Sequence, residues 1–335
     1  MVLRQDGSVW AAGDNEYGQL GDGSIANRKK FVKVVDGDVR SVATGSLCSF
    51  IVKNDGSLWA TGYNFHGQLG FDSANNQSSF VSVTSSGVKS IASGYAHSMM
   101  LRQDGGVWVT GYNKYGQLGD FTENDKRSFG LVVIGGATAV AAGHSHSMIL
   151  MGNGGVWTAG SNQDGQLGDG GEEVKRNYFD QVIFEDATAV AAGSFHSMVM
   201  KSDGSVWTVG ANYFGQLGDG TKRNKNVFQE VISIGAKSMA AGYAHSAVLM
   251  EDGSVWTTGS NHFGQLGTST TDKLSFFQAI AGGIDMIAAG DYNIMVKTVD
   301  DALWAAGWNQ HAQLGDGTSE NRRGFVDVVP GRRHI

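Results

Sequence analysis

The hydrophobic positions of this chain fall in short runs separated by turn-forming residues. In the segment 41–84 the runs are 41–45, 48–53, 57–62 and 80–83. Runs of this length bounded by Gly, Asn and Asp predict β-strands, and the Asn-Asp-Gly sequence between the second and third predicts a tight hairpin. No helical period of 3.6 residues competes with this pattern. It predicts four short antiparallel strands.

The same unit recurs seven times. The segment DGSVWAAGDNEYGQLGDG (6–23) returns along the whole chain, and between its copies lie six stretches similar to AVAAGHSHSMIL (139–150). The repeat tryptophans follow one another at steps of 49, 49, 49, 50, 49 and 48 residues: Trp10, Trp59, Trp108, Trp157, Trp207, Trp256 and Trp304. Seven units of four antiparallel strands predict an all-β fold, a seven-bladed β-propeller that forms one domain over residues 1–335.

The two ends of the chain suggest how the ring closes. MVLRQDG (1–7) aligns with MMLRQDG (99–105), so the first repeat starts in its middle. Seven periods of 49 residues make 343, eight more than the 335 present, and the ends look clipped by about that length. We therefore expect residues 325–335 to pair with the strands that start at Met1 and Ser8. This pairing of the amino- and carboxyl-terminal segments would complete the first blade.

Composition narrows the class of protein. Glycine accounts for 50 of the 335 residues, about twice the usual share, and suits many turns. The single cysteine, Cys48, excludes an intrachain disulfide. A net charge of −7 argues against a general binder of nucleic-acid phosphates. No signal peptide or long apolar run is visible, so we expect a soluble intracellular protein, cytoplasmic or nuclear.

The two recurring patterns, D-G-x-V-W-x-x-G-x-N-x-x-G-Q-L-G-D-G and A-A-G-x-x-H-S, together resemble the repeat of the regulator of chromosome condensation family. The core G-x-N-x-x-G-Q-L-G is intact in six copies and has Ala312 in place of its second glycine in the seventh. The resemblance covers the whole chain and implies a seven-bladed β-propeller. WD-repeat and kelch propellers are the alternative architectures, but neither a strand-ending W-D nor a recurring double glycine is present.

What the resemblance implies for function is broader, since members include a guanine-nucleotide exchange factor for the Ran GTPase, an ultraviolet-B receptor and simple binding platforms. This chain has no inserted wedge between strands, unlike the exchange factor. It also lacks the G-W-R-H-T turns of the photoreceptor, because its corresponding turns read GSLC, GYAH, GHSH, GSFH, GYAH and GDYN.

Most of the recurring polar residues have a structural interpretation. The Asn and Gln of G-x-N-x-x-G-Q-L-G are expected to bond backbone groups that the loop leaves unpaired. His97, His146, His196 and His245 share one position and invite a metal hypothesis, but equivalent positions in neighbouring blades are too far apart to share an ion. No catalytic motif occurs. We expect no enzyme activity, no cofactor and no metal.

The loops after Q-L-G and the G-x-x-H turns should emerge on one face of the propeller, opposite the acidic hairpins. This loop-rich face is either an ordinary solvated surface or a site for a protein partner. Its candidate binding residues are Tyr17, Tyr115, Phe214, Phe263, Trp308, Arg28, Lys29, Arg127, Arg176, Arg223 and Arg323. The sequence favours a non-enzymatic protein–protein interaction scaffold. The alternative is an exchange factor for a Ran-type small GTPase.

Overall fold

The computed structural model describes residues 1–328. Within this range it contains 27 β-strands and no helix, and therefore no helix long and apolar enough to cross a membrane. The chain divides into two compact units. The first comprises Met1–Ser161 and Lys175–Phe184, and the second comprises Asn162–Val174 and the residues from Glu185 onward.

The first unit contains four antiparallel sheets whose strands are paired in chain order. The first sheet is β1 (Val2–Leu3), β2 (Val9–Gly13) and β3 (Arg28–Val35). The second is β4 (Val39–Thr44), β5 (Cys48–Lys53), β6 (Leu58–Gly62) and β7 (Gln77–Thr84). The third is β8 (Val88–Ser93), β9 (His97–Arg102), β10 (Val107–Gly111) and β11 (Lys126–Val133). The fourth is β12 (Ala137–Ala142), β13 (His146–Met151), β14 (Val156–Ser161) and β15 (Lys175–Ile183).

The second unit contains three sheets of four strands with the same order. The fifth sheet is β16 (Ala187–Ala192), β17 (His196–Lys201), β18 (Val206–Gly210) and β19 (Lys225–Ile232). The sixth is β20 (Ala236–Ala241), β21 (His245–Met250), β22 (Val255–Gly259) and β23 (Lys273–Ile280). The seventh is β24 (Ile284–Ala289), β25 (Asn293–Thr298), β26 (Leu303–Gly307) and β27 (Arg322–Asp327). The predicted fold class, an all-β seven-bladed propeller, is confirmed.

The strands of the second repeat lie close to their predicted positions. β5 has the predicted bounds, whereas β7 spans Gln77–Thr84 where 80–83 was expected. The extra residues at its start are polar, and Gln77 pairs with Gly62 of β6. Because this outermost strand is only partly buried, backbone pairing extends it without the apolar alternation that would reveal it in the sequence.

The predicted pairing of the chain ends is wrong for residues 325–327. These residues belong to β27, which pairs with β26 in the seventh sheet, with Trp304 opposite Asp327. The reason is that the last repeat supplies its own outermost strand, as every earlier repeat does. Residues 329–335, the rest of the proposed closing segment, lie outside the described residues. The first sheet accordingly has three strands among residues 1–328.

A repeat tryptophan packs between neighbouring sheets, as the sequence suggested. Trp59 of the second sheet contacts a buried cluster that includes Val9 of the first sheet and Ile51 of the second. Its indole Nε1–H donates to Ser57 Oγ over 3.0 Å, and Lys53 Nζ lies 4.4 Å from the ring centre. The indole is therefore anchored at its polar edge while its body fills the space between sheets.

Buried histidines and serines link successive sheets by hydrogen bonds. Ser147 Oγ donates to the carbonyl of Gln117 over 2.6 Å, and His97 Nε2 lies 2.9 Å from the same Ser147 oxygen. Since the hydroxyl hydrogen is already used, His97 must donate through Nε2–H. In the second unit, Ser246 Oγ lies 2.8 Å from His196 Nε2. The histidines therefore have a structural role.

The close approach of the Q-L-G loop to the next sheet depends on glycine. Gly168 has φ of +75°, and a Cβ there would overlap the ring of Phe228 on β19. Five other loop glycines lie against a phenylalanine in the same way: Gly21 on Phe80, Gly70 on Phe129, Gly119 on Phe179, Gly218 on Phe276 and Gly267 on Phe325. Each phenylalanine belongs to the outermost strand of the following sheet, so this contact ties neighbouring sheets together.

Replacement of Gly168 by alanine should therefore destabilise the protein more than backbone strain alone can explain. Gly283 is the matched control, because its φ is +83° but nothing lies within 4 Å of the added Cβ. We expect Gly283→Ala to cost about 1 kcal/mol from the left-handed conformation, and Gly168→Ala to cost at least about 2 kcal/mol more from overpacking. Urea unfolding measures both, and equal losses would contradict the packing role of Gly168.

The buried histidines should make the protein less stable in mild acid. Burial lowers the pKa of His97 to about 3, with His146 and His144 adding to the shift, and burial lowers the pKa of His245 to about 4. An unfolded histidine has a pKa near 6.5. As the pH falls below about 6.5, these histidines become protonated in the unfolded chain but stay neutral in the folded chain. Stability is thus complete above that pH and declines towards pH 4.

At pH 5 the free energy of unfolding should be lower than at neutral pH by about 2 kcal/mol for each such histidine. The free energy of unfolding in urea at pH 7, 6 and 5 tests this expectation. His97→Gln keeps a side-chain N–H donor but cannot titrate. The free energy of unfolding of this variant should therefore fall less steeply with pH, because unfolding takes up one proton fewer. His262→Gln, which removes a histidine from an exposed position, is the matched substitution for comparison. A His97→Gln profile that is as steep as the original would refute the assignment.

Candidate functional site

One asparagine organises the loop between the last two strands of each sheet, which we call the Q-L-G loop. In the fifth sheet, Asn212 Oδ1 accepts from the backbone N–H of Leu217 over 3.0 Å. Its Nδ2 donates to Asp219 Oδ1 over 2.9 Å and to the carbonyl of Thr221 over 3.1 Å. The corresponding bond to a leucine N–H is made by Asn15, Asn64, Asn113, Asn162, Asn261 and Asn309. The recurring asparagine is a structural residue.

The recurring glutamine fixes the residue two places before it. Gln216 Oε1 accepts from the backbone N–H of Phe214 over 3.0 Å. The same bond occurs in every Q-L-G loop, and we call the residue it holds the loop-tip residue. The seven loop-tip residues are Tyr17, His66, Tyr115, Asp164, Phe214, Phe263 and His311. Their backbone is fixed, whereas their side chains differ from repeat to repeat.

In the first unit the loop-tip residues join a cluster of aromatic side chains. Tyr17 lies 4.9 Å from Tyr63 between ring centres, and His66 lies 4.8 Å from Tyr112. Tyr112 also contacts Tyr115, at 6.3 Å. The cluster therefore contains both tyrosines that the sequence singled out in this unit. Their partners were not singled out, although Tyr63 and Tyr112 follow the glycine that ends the third strand of their sheets.

A second aromatic cluster lies in the second unit. Trp308 contacts Tyr292 at 5.7 Å, Phe263 at 6.0 Å and His311 at 5.1 Å between ring centres. Tyr243 in turn lies 5.0 Å from Tyr292, and burial raises the pKa of Tyr292 to about 12. Phe263 and Trp308 were both predicted site residues. Phe214, the third predicted aromatic residue of this unit, is 41% exposed.

The predicted basic residues are less concentrated than the aromatic ones. Five of them lie in outermost strands and not in the loops where the sequence suggested they lie: Arg28 and Lys29 in β3, Arg127 in β11, Arg176 in β15 and Arg323 in β27. Only Arg223 is in a loop, since β19 begins at Lys225. The other five lie in strands because the outermost strands begin before their apolar residues do. Arg28 pairs with Asp22 over 2.6 Å, and Arg176 is 9% exposed. Aromatic side chains, not basic ones, dominate the loop tips.

Residues 1–328 contain no group of three or more histidine, cysteine or carboxylate side chains placed to hold a metal ion. The chemistry that the loop tips can perform is recognition. Aromatic faces and edges, two imidazoles and one carboxylate are presented on backbone that hydrogen bonds and glycines hold in place.

The comparisons with known proteins agree with this architecture. A model of the regulator of chromosome condensation (RCC1) repeat matches residues 6–52, 55–101, 153–200 and 203–249. A second model of the same repeat matches residues 88–117, 137–166, 187–216 and 236–265. No curated protein matches the chain in sequence.

Several solved structures are similar to this chain over nearly their whole length. Human WBSCR16 has 21% identity and a TM-score of 0.85, covering 96% of this chain and 94% of that one. Yeast RCC1 (Prp20) bound to Kap60 has 17% identity and a TM-score of 0.88, covering 98% and 85%. Prp20p from Saccharomyces cerevisiae has 19% identity and a TM-score of 0.87, covering 98% and 87%. At these identities the likeness shows the fold.

Proposed function

Because the chain belongs to the regulator of chromosome condensation (RCC1) repeat family, we propose that it is a non-enzymatic scaffold that binds a protein partner through its loop-tip residues. The observation that carries this proposal is the clustering of aromatic side chains at the Q-L-G loops. Phe65, which directly precedes the loop-tip residue His66, lies 6.4 Å from Tyr63 and 5.1 Å from His66 between ring centres and is 63% exposed. Tyr213, directly before the loop-tip residue Phe214, is 57% exposed, and Phe214 itself is 41% exposed.

Aromatic side chains on a fixed backbone suit the centre of a protein interface. They bury large areas and lose little conformational freedom on binding. In each loop the backbone is already held by an asparagine and a glutamine, such as Asn113 and Gln117 in the third sheet. Little ordering of the loop is then needed when a partner binds, and more of the burial energy is available for affinity.

The opposite edge of the sheets, where the Asp-Gly hairpins lie, is a weaker candidate. It exposes large apolar residues, including Ile134 (87%), Phe184 (74%) and Ile234 (70%). These residues follow the outermost strands of three different sheets, and each stands in a separate connection. Single exposed apolar residues are common on protein surfaces, whereas contiguous clusters mark interaction sites.

An exchange factor for a Ran-type small GTPase is the second candidate. It derives from the family, and the binding properties of the similar Prp20p to Gsp1p and histones have been described. Those partners are known for that protein. For this chain the similarity supports a protein partner in general, and the absence of an inserted wedge between the repeats favours the scaffold over the exchange factor.

Removal of two aromatic side chains from the Q-L-G loops of the first unit should strongly weaken partner binding. In a Phe65→Ser/Tyr115→Ser variant we expect recovery of the bound partner to fall roughly tenfold or more, since truncated aromatic anchors typically cost about 2 kcal/mol or more. Quantitative mass spectrometry of proteins retained by the immobilised chain measures this recovery. Phe184→Ser, an exposed aromatic residue at the hairpin edge, is the control.

Two results would contradict the scaffold: no protein retained above the empty matrix, or equal retention by the double variant. Nucleotide release from a Ran-type GTPase separates the second candidate. No acceleration at micromolar protein excludes the exchange factor, and strong acceleration that the double variant loses would replace the scaffold by it.

A further inference from the structure

A cavity of about 170 Å³ opens in the second unit at the Q-L-G loop of the fifth sheet. It is lined by aromatic and small residues together with one carboxylate: Asp164, Phe195, Ala211, Tyr213, Phe214, Gln216, Tyr243 and Ala244. Phe195 and Tyr243 are in edge-to-face contact, with 5.4 Å between ring centres. The cavity combines aromatic walls with a negative charge.

Comparison of the repeats shows why the space is open. In the seventh sheet, Trp308 directly follows the glycine that ends the third strand, and its indole lies between Tyr292 and the loop-tip residue Phe263. In the first unit, Tyr63 and Tyr112 hold the same position and also contact the preceding loop-tip residue. A large aromatic side chain thus closes this space in other repeats.

In the fifth sheet the same three positions are held by different residues. Ala211 stands where Trp308 does, Phe195 corresponds to Tyr292, and Asp164 corresponds to Phe263. Ala211 has no side chain beyond its Cβ, so no aromatic ring occupies this position in the fifth sheet. Asp164 is also the only acidic loop-tip residue among the seven. Both departures from the repeat pattern occur at one place, and together they make an aromatic cavity with a carboxylate on its wall.

The carboxylate is held in a defined orientation. Asp164 Oδ1 accepts from the hydroxyl of Tyr213 over 2.6 Å and from Asn224 Nδ2 over 2.8 Å. The backbone N–H of Asp164 is bound by Gln166 Oε1 over 3.0 Å. The hydrogen bond to Asp164 raises the pKa of Tyr213, so the phenol remains a donor. No residue in the described range bonds Asp164 Oδ2, which leaves this oxygen available for a cation.

We propose that this cavity binds the trimethylammonium group of a methylated lysine on a partner polypeptide. Aromatic faces attract such a cation, and its methyl groups gain contact with apolar walls that a hydrated ammonium group would not. The size is suitable, since a cavity of about 150 Å³ holds a benzene molecule, which is similar in bulk to trimethylammonium. The carboxylate of Asp164 selects the charged group over a neutral one of the same shape.

The surroundings of the cavity favour a lysine side chain as the source of the cation. The cavity accommodates only the head group, so the rest of the ligand lies outside it. Tyr213 and Phe214, which are 57% and 41% exposed, provide an apolar rim for a four-carbon stem. The net charge of −7 favours a basic partner. The polypeptide source rests on the proposed scaffold function, whereas binding of the head group does not.

Calorimetric titration of the full chain tests the ligand class. The probes are Nα-acetyl-trimethyllysine amide, its unmethylated form, choline, and the neutral analogue in which tert-butyl replaces trimethylammonium. We expect the trimethyllysine probe to bind at least about tenfold more tightly than the other three, which is about 1.4 kcal/mol. No saturation by 10 mM probe, or equal binding of the neutral or unmethylated form, would overturn the proposal. Equal binding of choline would overturn the lysine source.

Two variants test the site. Ala211→Trp should fill the cavity as Trp308 fills its counterpart, and Asp164→Asn should keep the shape but remove the charge. Each should weaken trimethyllysine binding at least about tenfold, while Asp36→Asn, at an exposed carboxylate of the first unit, should not change it. Thermal melting shows whether Ala211→Trp folds, and Asp164→Asn alone remains decisive if it does not. Undiminished binding by Asp164→Asn would refute the site.

The Phe65→Ser/Tyr115→Ser variant separates this inference from the scaffold proposal. It should retain full trimethyllysine binding, because its changes lie in the first unit. If the wild-type chain captures a partner but does not bind the trimethyllysine probe, only the cavity proposal is overturned. Probe binding without any captured partner would instead overturn the scaffold and, with it, the polypeptide source.

Discussion

The candidate site depends on the hydrogen bonds that the side-chain amide of one asparagine makes within each Q-L-G loop. A segment such as 211–224 connects two strands without a helix or strand of its own, and its backbone groups need partners. Asn212, which is 0% exposed, accepts from the backbone N–H of Leu217 and donates to the carboxylate of Asp219 and the carbonyl of Thr221, further along the same loop. One buried amide thereby replaces the hydrogen-bond ladder that a regular element would provide.

This arrangement separates the residues that hold the loop from those that face a ligand. The asparagine and the glutamine recur in all seven loops and the glycine against a phenylalanine in six of them, since each makes a contact that only its own geometry permits. The loop-tip side chain takes no part in these contacts. Tyrosine, histidine, aspartate and phenylalanine therefore occupy the same backbone position in different repeats, and chemical diversity at the loop tips costs the fold little.

The sequence predicted the fold well because the information is local and repeated seven times. Tight turns, short apolar runs and a fixed period define strands such as β5 to the residue. The start of β7 at Gln77 was missed, because a partly buried outermost strand needs no apolar alternation. At the loop tips, Tyr17 and Tyr115 were identified, but their partners Tyr63 and Tyr112 were not. Those contacts join consecutive repeats, so the sequence spacing alone does not reveal them.

The cavity was harder to predict, because it arises from a missing side chain. Small residues also follow the corresponding glycine in two other sheets, as Ser161 after Gly160 and Ser260 after Gly259. In those sheets the preceding loop-tip residues are Tyr115 and Phe214, which are aromatic and carry no carboxylate. A small residue alone therefore does not bring a charge to this position. The pairing of Ala211 with Asp164 adds an oriented carboxylate to an aromatic enclosure, and that combination is suited to an organic cation and poorly suited to a neutral group.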